Sequence, residues 1–477
     1  MSSTYSVSTL RFVLKTPIPF PGLFNCVEEV AATAHSTDPA QICFQCIDIW
    51  VKLWAAIANF YFSEDVERII TEGNFDVIIA EDLTMKAVAM VTNKMKIPIA
   101  SFSPVPTYDF ARLQQNLPMM LSSENSGMTF HISSIATPPT FWQRAHVVLS
   151  LVRLTKWVSS IEKVLVDNYG KYGITSNQDI LDRISLFLVN AHPAYSLPHL
   201  APANLIEIGA FHLQPSKPLL AGSGPLSDFI ESSTKDIIYL SIGSYGDPFY
   251  FFSLNKDLPD FSEIIQTISQ LNYRVILKVR DMSKVALPDF SEDWYVTEWV
   301  PQKDLLGSGN VKLFISHCGN NGRIESVYYN VPLLCIPLWG DNMMNAMDIQ
   351  AKKFGKTLLK EDLKNTALVH DVIDSMVSNY EMYRDNMRAA TEILLSEPAN
   401  GKDKIRFYLG MLIKHGHLDF LQNQVLKKQT FVEVSNLDVV LCFVGVLVVM
   451  LALALLAVRR FIGFVIKLVR NKKDKSD

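Results

Sequence analysis

Residues Trp299–Asn345 read WVPQKDLLGSGNVKLFISHCGNNGRIESVYYNVPLLCIPLWGDNMMN, and the fold follows from how this stretch alternates. Lys312 to Ser316 is a short apolar run with no helical period, and a glycine- and asparagine-rich turn, His317-Cys318-Gly319-Asn320-Asn321-Gly322, follows it. Arg323 to Tyr329 suits a helix stopped before Pro332, and Leu333 to Pro337 suits a second buried strand. A small-residue turn between a parallel strand and a helix leaves backbone N–H groups aimed at one spot, at the positive end of the helix dipole, where a phosphate binds well. His317 then lies at the strand's carboxyl end, the edge where open α/β sheets place ligands. Asp341 and Asn342 occupy the next strand-to-helix turn on the same edge, within reach of hydroxyls carried by that phosphate. The plainer alternative is a histidine that satisfies a core hydrogen bond, with glycines that only make turns. His317, Gly319, Asn321, Gly322 and Glu325 together at one turn favour the ligand site.

The same segment resembles the signature of the UDP-glycosyltransferases, most closely the membrane-bound UDP-glucuronosyltransferases of animals. The matching residues are Trp299, Pro301, Gln302, Leu305, Leu306, the His317-x-Gly319-x-Asn321-Gly322-x-x-Glu325 core, Pro332, Pro337, Gly340, Asp341, Asn345 and Ala346. Such proteins usually carry Asp-Gln at the sugar-contacting pair, where this chain has Asp341-Asn342; Asn keeps the amide but is about one methylene shorter. The resemblance implies an α/β fold of two Rossmann-like domains, the GT-B type, followed by a C-terminal transmembrane helix.

Outside the signature, Phe75–Ala80, Met85–Asn93 and Ile97–Phe102 give strand, helix and strand, a βαβ rhythm. Ser185–Asn190 and Ile206–Gly209 read as further strands. The Pro-, Gly- and Ser-rich segment 213–235 separates an N-terminal domain, 1–212, from a second, 236–417. The rhythm restarts with a strand at Ile237–Leu240, a helix at Phe261–Leu271 and a strand at Arg274–Val279. Residues 418–438 then lead to an apolar segment at 439–458 and a basic tail at 459–477. Ser241-Ile242-Gly243-Ser244 matches the family's Ser-Phe-Gly-Ser turn, so Ser244 is expected near the donor diphosphate.

Transfer of a sugar from UDP to a hydroxyl needs a general base for the acceptor and stabilisation of the departing UDP. The resemblance assigns the second task to Ser244, His317, Gly319, Asn321 and Gly322. Trp299 would stack on the uracil, Gln302 bond its edge, Glu325 hold the ribose diol, and Asp341 and Asn342 hold the sugar. UDP-sugar is then a co-substrate and no other cofactor is expected. The chain has no Asp-x-Asp motif, and the helix terminus would replace a metal. For the first task, Glu81 falls at the family's orienting carboxylate, with Asp82 beside it. The histidine it would orient belongs to a strand and glycine loop expected ahead of Met1, and His35 is not in that context.

The chain has 477 residues, a formal charge of −4 and no long basic run in its body, which argues against nucleic acid as a partner. Six cysteines over this length do not make a disulfide framework, and the lone Cys43-x-x-Cys46 reads as helix packing. Val439–Val458 is 20 residues without a charge, the length that crosses a bilayer; a buried core helix is the alternative. Seven basic residues against two acidic ones follow it, which places the tail in the cytoplasm and the body in a lumen. Lys473 and Lys475 resemble a retrieval signal of the endoplasmic reticulum. The N-terminus lacks the apolar run of a signal peptide, and no Asn-x-Ser/Thr sequon occurs. The expected function is transfer of glucuronic acid or glucose, with inversion, to a small lipophilic acceptor, and a homo- or hetero-oligomer with related transferases is a further expectation. The other readings are a non-catalytic homologue that binds UDP-sugar or pairs with a full-length transferase, and a soluble bacterial-type enzyme, which Val439–Val458 disfavours.

Overall fold

The computed structural model describes residues 61–106, 140–142 and 159–473, apart from 74, 83, 161, 200, 220, 221, 223, 244–258, 260, 283–290, 339, 340, 424 and 426–428. Ser244, His35 and the Cys43–Cys46 pair lie outside these residues, as does any segment before residue 61.

The first half runs α1 (Glu64–Glu72), β1 (Ile78–Glu81), α2 (Met85–Val91), β2 (Ile99–Ser103), α3 (Asn177–Leu181), β3 (Ile184–Val189) and β4 (Leu205–Glu207). These strands form one parallel sheet in the order β1-β2-β3-β4. Every residue of β3, ISLFLV, is buried, as expected of a parallel strand covered on both faces.

After α4 (Pro225–Glu231) come β5 (Ile237–Ser241), α5 (Phe261–Ser269), β6 (Arg274–Lys278), β7 (Trp294–Thr297), α6 (Gln302–Gly307), β8 (Val311–Ser316), α7 (Asn320–Tyr328), β9 (Leu333–Cys335), α8 (Asn342–Ala351) and β10 (Gly355–Thr357). The second sheet is parallel in the order β10-β9-β8-β5-β6-β7. The strand order reverses between β5 and β8. Open doubly wound sheets bind ligands at such a switch point, outside the carboxyl ends of the strands. Helix α5 shows why these strands are covered: Phe261, Ile264, Ile265 and Ile268 repeat at helical spacing and are all buried, against Ile238, Leu240, Val275 and Leu277.

Helices α9 (Thr366–Ser378), α10 (Tyr380–Leu395) and α11 (Gly401–His415) follow. In chain order α11 belongs with the second sheet, but its Leu409 and Leu412 pack with Ala100, Leu186, Leu188, Ile206 and Ile208 on the first. The 213–235 segment is tied to the second half: Ser216 Oγ donates to Gly307 O at 3.2 Å, and Tyr329 Oη donates to Gln214 O at 2.7 Å.

Two local expectations shift. Helix α7 starts at Asn320, three residues before Arg323, because extended Gly319 (φ −60°, ψ 146°) occupies its N-cap position. Cys318 and Cys335, at the ends of neighbouring strands β8 and β9, form a disulfide with Cα atoms 5.2 Å apart, a pairing that their separation of 17 residues in the chain did not announce.

Residues up to Gln422 with both sheets form one compact unit, and the segment from Asn423 belongs to another. The latter holds α12 (Phe431–Val434) and α13 (Leu437–Lys473). Helix α13 extends well past the expected 439–458: its apolar span is Leu437–Ile466. Arg459 and Arg460 do not end it, since charged side chains leave the backbone ladder intact and Gly463 alone costs only about 1 kcal/mol.

Candidate functional site

The carboxyl edge of the second sheet gathers residues from five successive strand ends. Gly243 follows β5, Lys278 ends β6, Trp299 follows β7, His317 follows β8 and Asp341 follows β9. His317 is the centre. A Cβ on Gly243 would stand 2.7 Å from its Cε1, and one on Gly319 would stand 2.5 Å from its Nε2. The imidazole is therefore clasped between two glycine backbones, and Gly243 also has φ +88°, a conformation L side chains avoid. Burial, and then the charge of Lys278, lower the His317 pKa to about 4. At neutral pH it is an uncharged hydrogen-bonding group.

The first turn of α7 supplies backbone N–H groups without intrahelical partners. Asn321 is exposed there and Gly322 half-buried. Asp341 sits beside this turn. Its carboxylate accepts from Asn345 Nδ2 at 2.6 Å and from the Asn320 backbone N–H. Burial raises its pKa, and these bonds oppose the rise. Asn345 Nδ2 also donates to Cys318 O at 2.9 Å, so one amide ties both turns together. Asn342 is 1% exposed, and its amide is turned inward, toward Leu338 N–H and Asp341.

After β7, Trp299 is 74% exposed, its ring centroid 5.8 Å from Lys278 Nζ. Gln302, at the start of α6, donates through Nε2 to Glu325 Oε2 at 2.5 Å. Glu325 is nearly buried; burial raises its pKa, while Gln302, Lys303 and Lys278 work against that. Lys278 is the cation of the site: half-buried, with its pKa lowered by burial, and its Nζ 3.4 Å from Gly243 O. Sequence reasoning passed over it. The signal was present, however: a lysine closing the apolar run RVILK stands at the same strand edge as His317.

The two halves meet at α7. Asn320 Nδ2 donates to Pro104 O at 2.7 Å and to Asn190 O at 3.0 Å, just past the carboxyl ends of β2 and β3. Arg323, fully buried, pairs with Asp348 of α8 and donates to Ser196 Oγ at 3.1 Å and Asn320 Oδ1 at 2.7 Å. Leu197 N–H donates to Asp348 Oδ1 at 3.2 Å. Helix α7 is thus bolted to the first sheet's loops. On that sheet Glu81 ends β1 and is exposed. Asp82 beside it is buried and accepts a hydrogen bond from Ser103 Oγ at 2.8 Å.

The sequence profile described as UDP-glucoronosyl and UDP-glucosyl transferase matches residues 25–475. The chain belongs to this family. It is 29% identical to UDP-glycosyltransferase UGT4 of Dactylopius coccus over 58% of this chain and 52% of that protein. It is 23% identical to UDP-glucuronosyltransferase 2B14 of Oryctolagus cuniculus, over 88% of this chain and 76% of that one. It spans about half the length of two insect relatives that it matches, UGT4 and UDP-glucosyltransferase 2 of Dactylopius coccus. Among solved structures, a UDP-glucosyltransferase from Polygonum tinctorium in complex with 3,4-dichloroaniline superposes with a TM-score of 0.51 at 13% identity, covering 79% of this chain and 81% of that one. The fold is the GT-B fold.

Proposed function

We propose that this UDP-glycosyltransferase family member transfers a hexose or hexuronic acid, glucose or glucuronic acid, from UDP-sugar to a hydroxyl of a small lipophilic acceptor, inverting the anomeric carbon. The observation that carries this reading is the set of groups at the switch point: neutral His317 held between Gly243 and Gly319, the α7 N-terminus, and Lys278. Negative charge grows on UDP as it departs. An oriented helix terminus and a nearby cation stabilise that charge without reorganising, so the transfer needs no metal. Trp299, Gln302 and Glu325 line the nucleoside end, and Asp341 faces the sugar. Ser244, one residue past Gly243, would add a hydroxyl to the diphosphate. Glu81 is the carboxylate assigned to the general base, with buried Asp82 as its neighbour.

The apolar span Leu437–Ile466 would anchor the protein by a single pass. The excess of Lys and Arg after Val458 supports a cytoplasmic tail and a lumenal body in the endoplasmic reticulum. Pairing with another copy or a related transferase belongs to the same reading. The test is transfer by the full chain in detergent, with a phenol acceptor and either UDP-glucose or UDP-glucuronic acid. Formation of one glycoside, its stereochemistry read by NMR, supports the proposal. UDP binding with no transfer from either donor would leave a non-catalytic, donor-binding homologue.

A further inference from the structure

Helix α13 changes character at Val458. Val439–Val458 carries no charge on any side, and its 20 residues alone give the ~30 Å needed to cross the hydrocarbon layer. The helix nevertheless continues to Lys473, and its apolar span of 30 residues is about 45 Å long, too long for an upright crossing. From Arg459 onward, charge and apolarity separate by side. At about 100° per residue, Arg459, Arg460, Gly463, Lys467, Arg470 and Asn471 fall within one arc of about 120°. Every other residue from Phe461 to Val469 is Phe, Ile, Val or Leu. Phe461 is 67% exposed, Phe464 60% and Ile466 53%, so nothing among the described residues covers this face.

If the crossing ran on past Val458, Arg459 and Arg460 would enter hydrocarbon, where an unpaired guanidinium is costly. If the helix stood out from the membrane instead, the apolar face from Phe461 to Val469 would meet water. Lying along the interface avoids both costs, with the apolar face on acyl chains and the basic arc at the level of the headgroups. The sign of the charge selects the lipid. Arg459, Arg460, Lys467 and Arg470 bring four positive charges, and no carboxylate stands between Val458 and Lys473. An anionic headgroup complements that arc, whereas a zwitterionic one offers no net attraction. An acidic protein could use the same charges, but the chain joins Val458 to Arg459 directly, so the bilayer is the surface already in reach.

We propose that residues 459–471 form an interfacial helix that lies on the cytoplasmic leaflet and binds anionic phospholipid headgroups through the arc of Arg459, Arg460, Lys467 and Arg470. The inference rests on the reading of α13 as a single-pass anchor with a cytoplasmic tail, and goes beyond it. Attachment of this segment then depends on salt and on lipid charge, whereas the uncharged crossing depends on neither.

The experiment follows chymotrypsin cleavage of the full chain in lipid nanodiscs, which leave both faces of the bilayer open, with the fragments read by mass spectrometry. One set of discs is phosphatidylcholine alone, and the other contains about one-third phosphatidylserine. Cleavage after Phe464 and Leu468, relative to a soluble peptide substrate in the same sample, is expected to be at least about tenfold slower in the anionic discs. Salt at about 0.5 M should remove most of that difference. The combined variant Arg459→Gln, Arg460→Gln, Lys467→Gln and Arg470→Gln keeps good helix formers and every cleavage site. It should be cut at the same rate in both lipids. Fast and equal cleavage of the wild type in both discs would mean that the segment projects into water. Slow and equal cleavage would mean that the crossing itself runs past Val458 with no preference for headgroup charge. Either result overturns the proposal and leaves the anchor in place. A chain that stays in solution without detergent or lipid would instead remove the anchor reading, and the proposal with it.

Discussion

At His317 the environment sets both charge and position. The folded protein holds the imidazole neutral, with its pKa lowered to about 4 by burial and Lys278, while the unfolded chain titrates near 6.5. As pH falls through that window the unfolded state takes up the proton first. Stability from this group is whole above about pH 6.5 and is lost as pH falls toward about 4. His317→Gln should remove this slope, so that wild type loses about 2–3 kcal/mol more than the variant between pH 7 and 4.5. Denaturant melts at the two pH values measure it, and parallel losses would mean the ring is solvated. Asp341 and Asn342, adjacent in sequence, differ in role by the same kind of reasoning. The Asn342 amide is turned inward and the Asp341 carboxylate stands at the first turn of α7. Asn342→Ala is therefore expected to weaken UDP and UDP-sugar alike, through the loop. Asp341→Asn should weaken UDP-sugar by about 1–2 kcal/mol beyond its effect on UDP. Calorimetry with both ligands separates these outcomes.

Among the elements, the strands were the most legible. Ile237–Ser241, Arg274–Lys278 and Val311–Ser316 agree with their expected bounds to within a residue, because buried parallel strands leave continuous apolar runs bounded by turns. Helix α7 was harder. It lacks an apolar stripe, since its buried face carries Asn320, Arg323, Glu325 and Ser326, and periodicity cannot register polar residues that are buried by partners elsewhere. Helix α11 shows the opposite difficulty. Its apolar residues announce a buried face but not which sheet covers it. Leu409 is 1% exposed against the first sheet, so Leu409→Ala should cost about 2–5 kcal/mol. A fall in melting temperature, with UDP affinity retained at temperatures where the variant is folded, is the expected result. A neutral substitution would mean that the contact with Leu186 and Leu188 contributes nothing.

For the whole molecule, the junction at α7 matters most. Arg323 and Asp348 are buried charges, and burial raises the Asp348 pKa, with Arg323 the main opposing influence. Removing one member of such a pair strands the other and costs about 3–5 kcal/mol, whereas replacing both by apolar residues is often near neutral. Asp348→Leu should therefore lower the melting temperature sharply, and adding Arg323→Met should restore most of it. Equal losses in the single and double variants would show that the hydrogen bonds to Ser196 and Leu197 matter more than the charges. None of this junction was visible in the chain, because Arg323 lies 127 residues from Ser196 and Asn320 lies 216 from Pro104. Two α/β halves, a glycine-rich turn around His317 at a strand's carboxyl end and a long apolar C-terminal helix were legible in the sequence alone. Each depends on residues within one or two turns of each other, whose spacing carries the physics. Tertiary structure alone decided that Gln302 bonds both Tyr239 and Glu325, that Lys278 stands near His317, that α11 returns to the first sheet and that Asn320 and Arg323 bolt the halves together. These contacts join residues far apart in the chain, and only folding supplies the proximity that gives them energy.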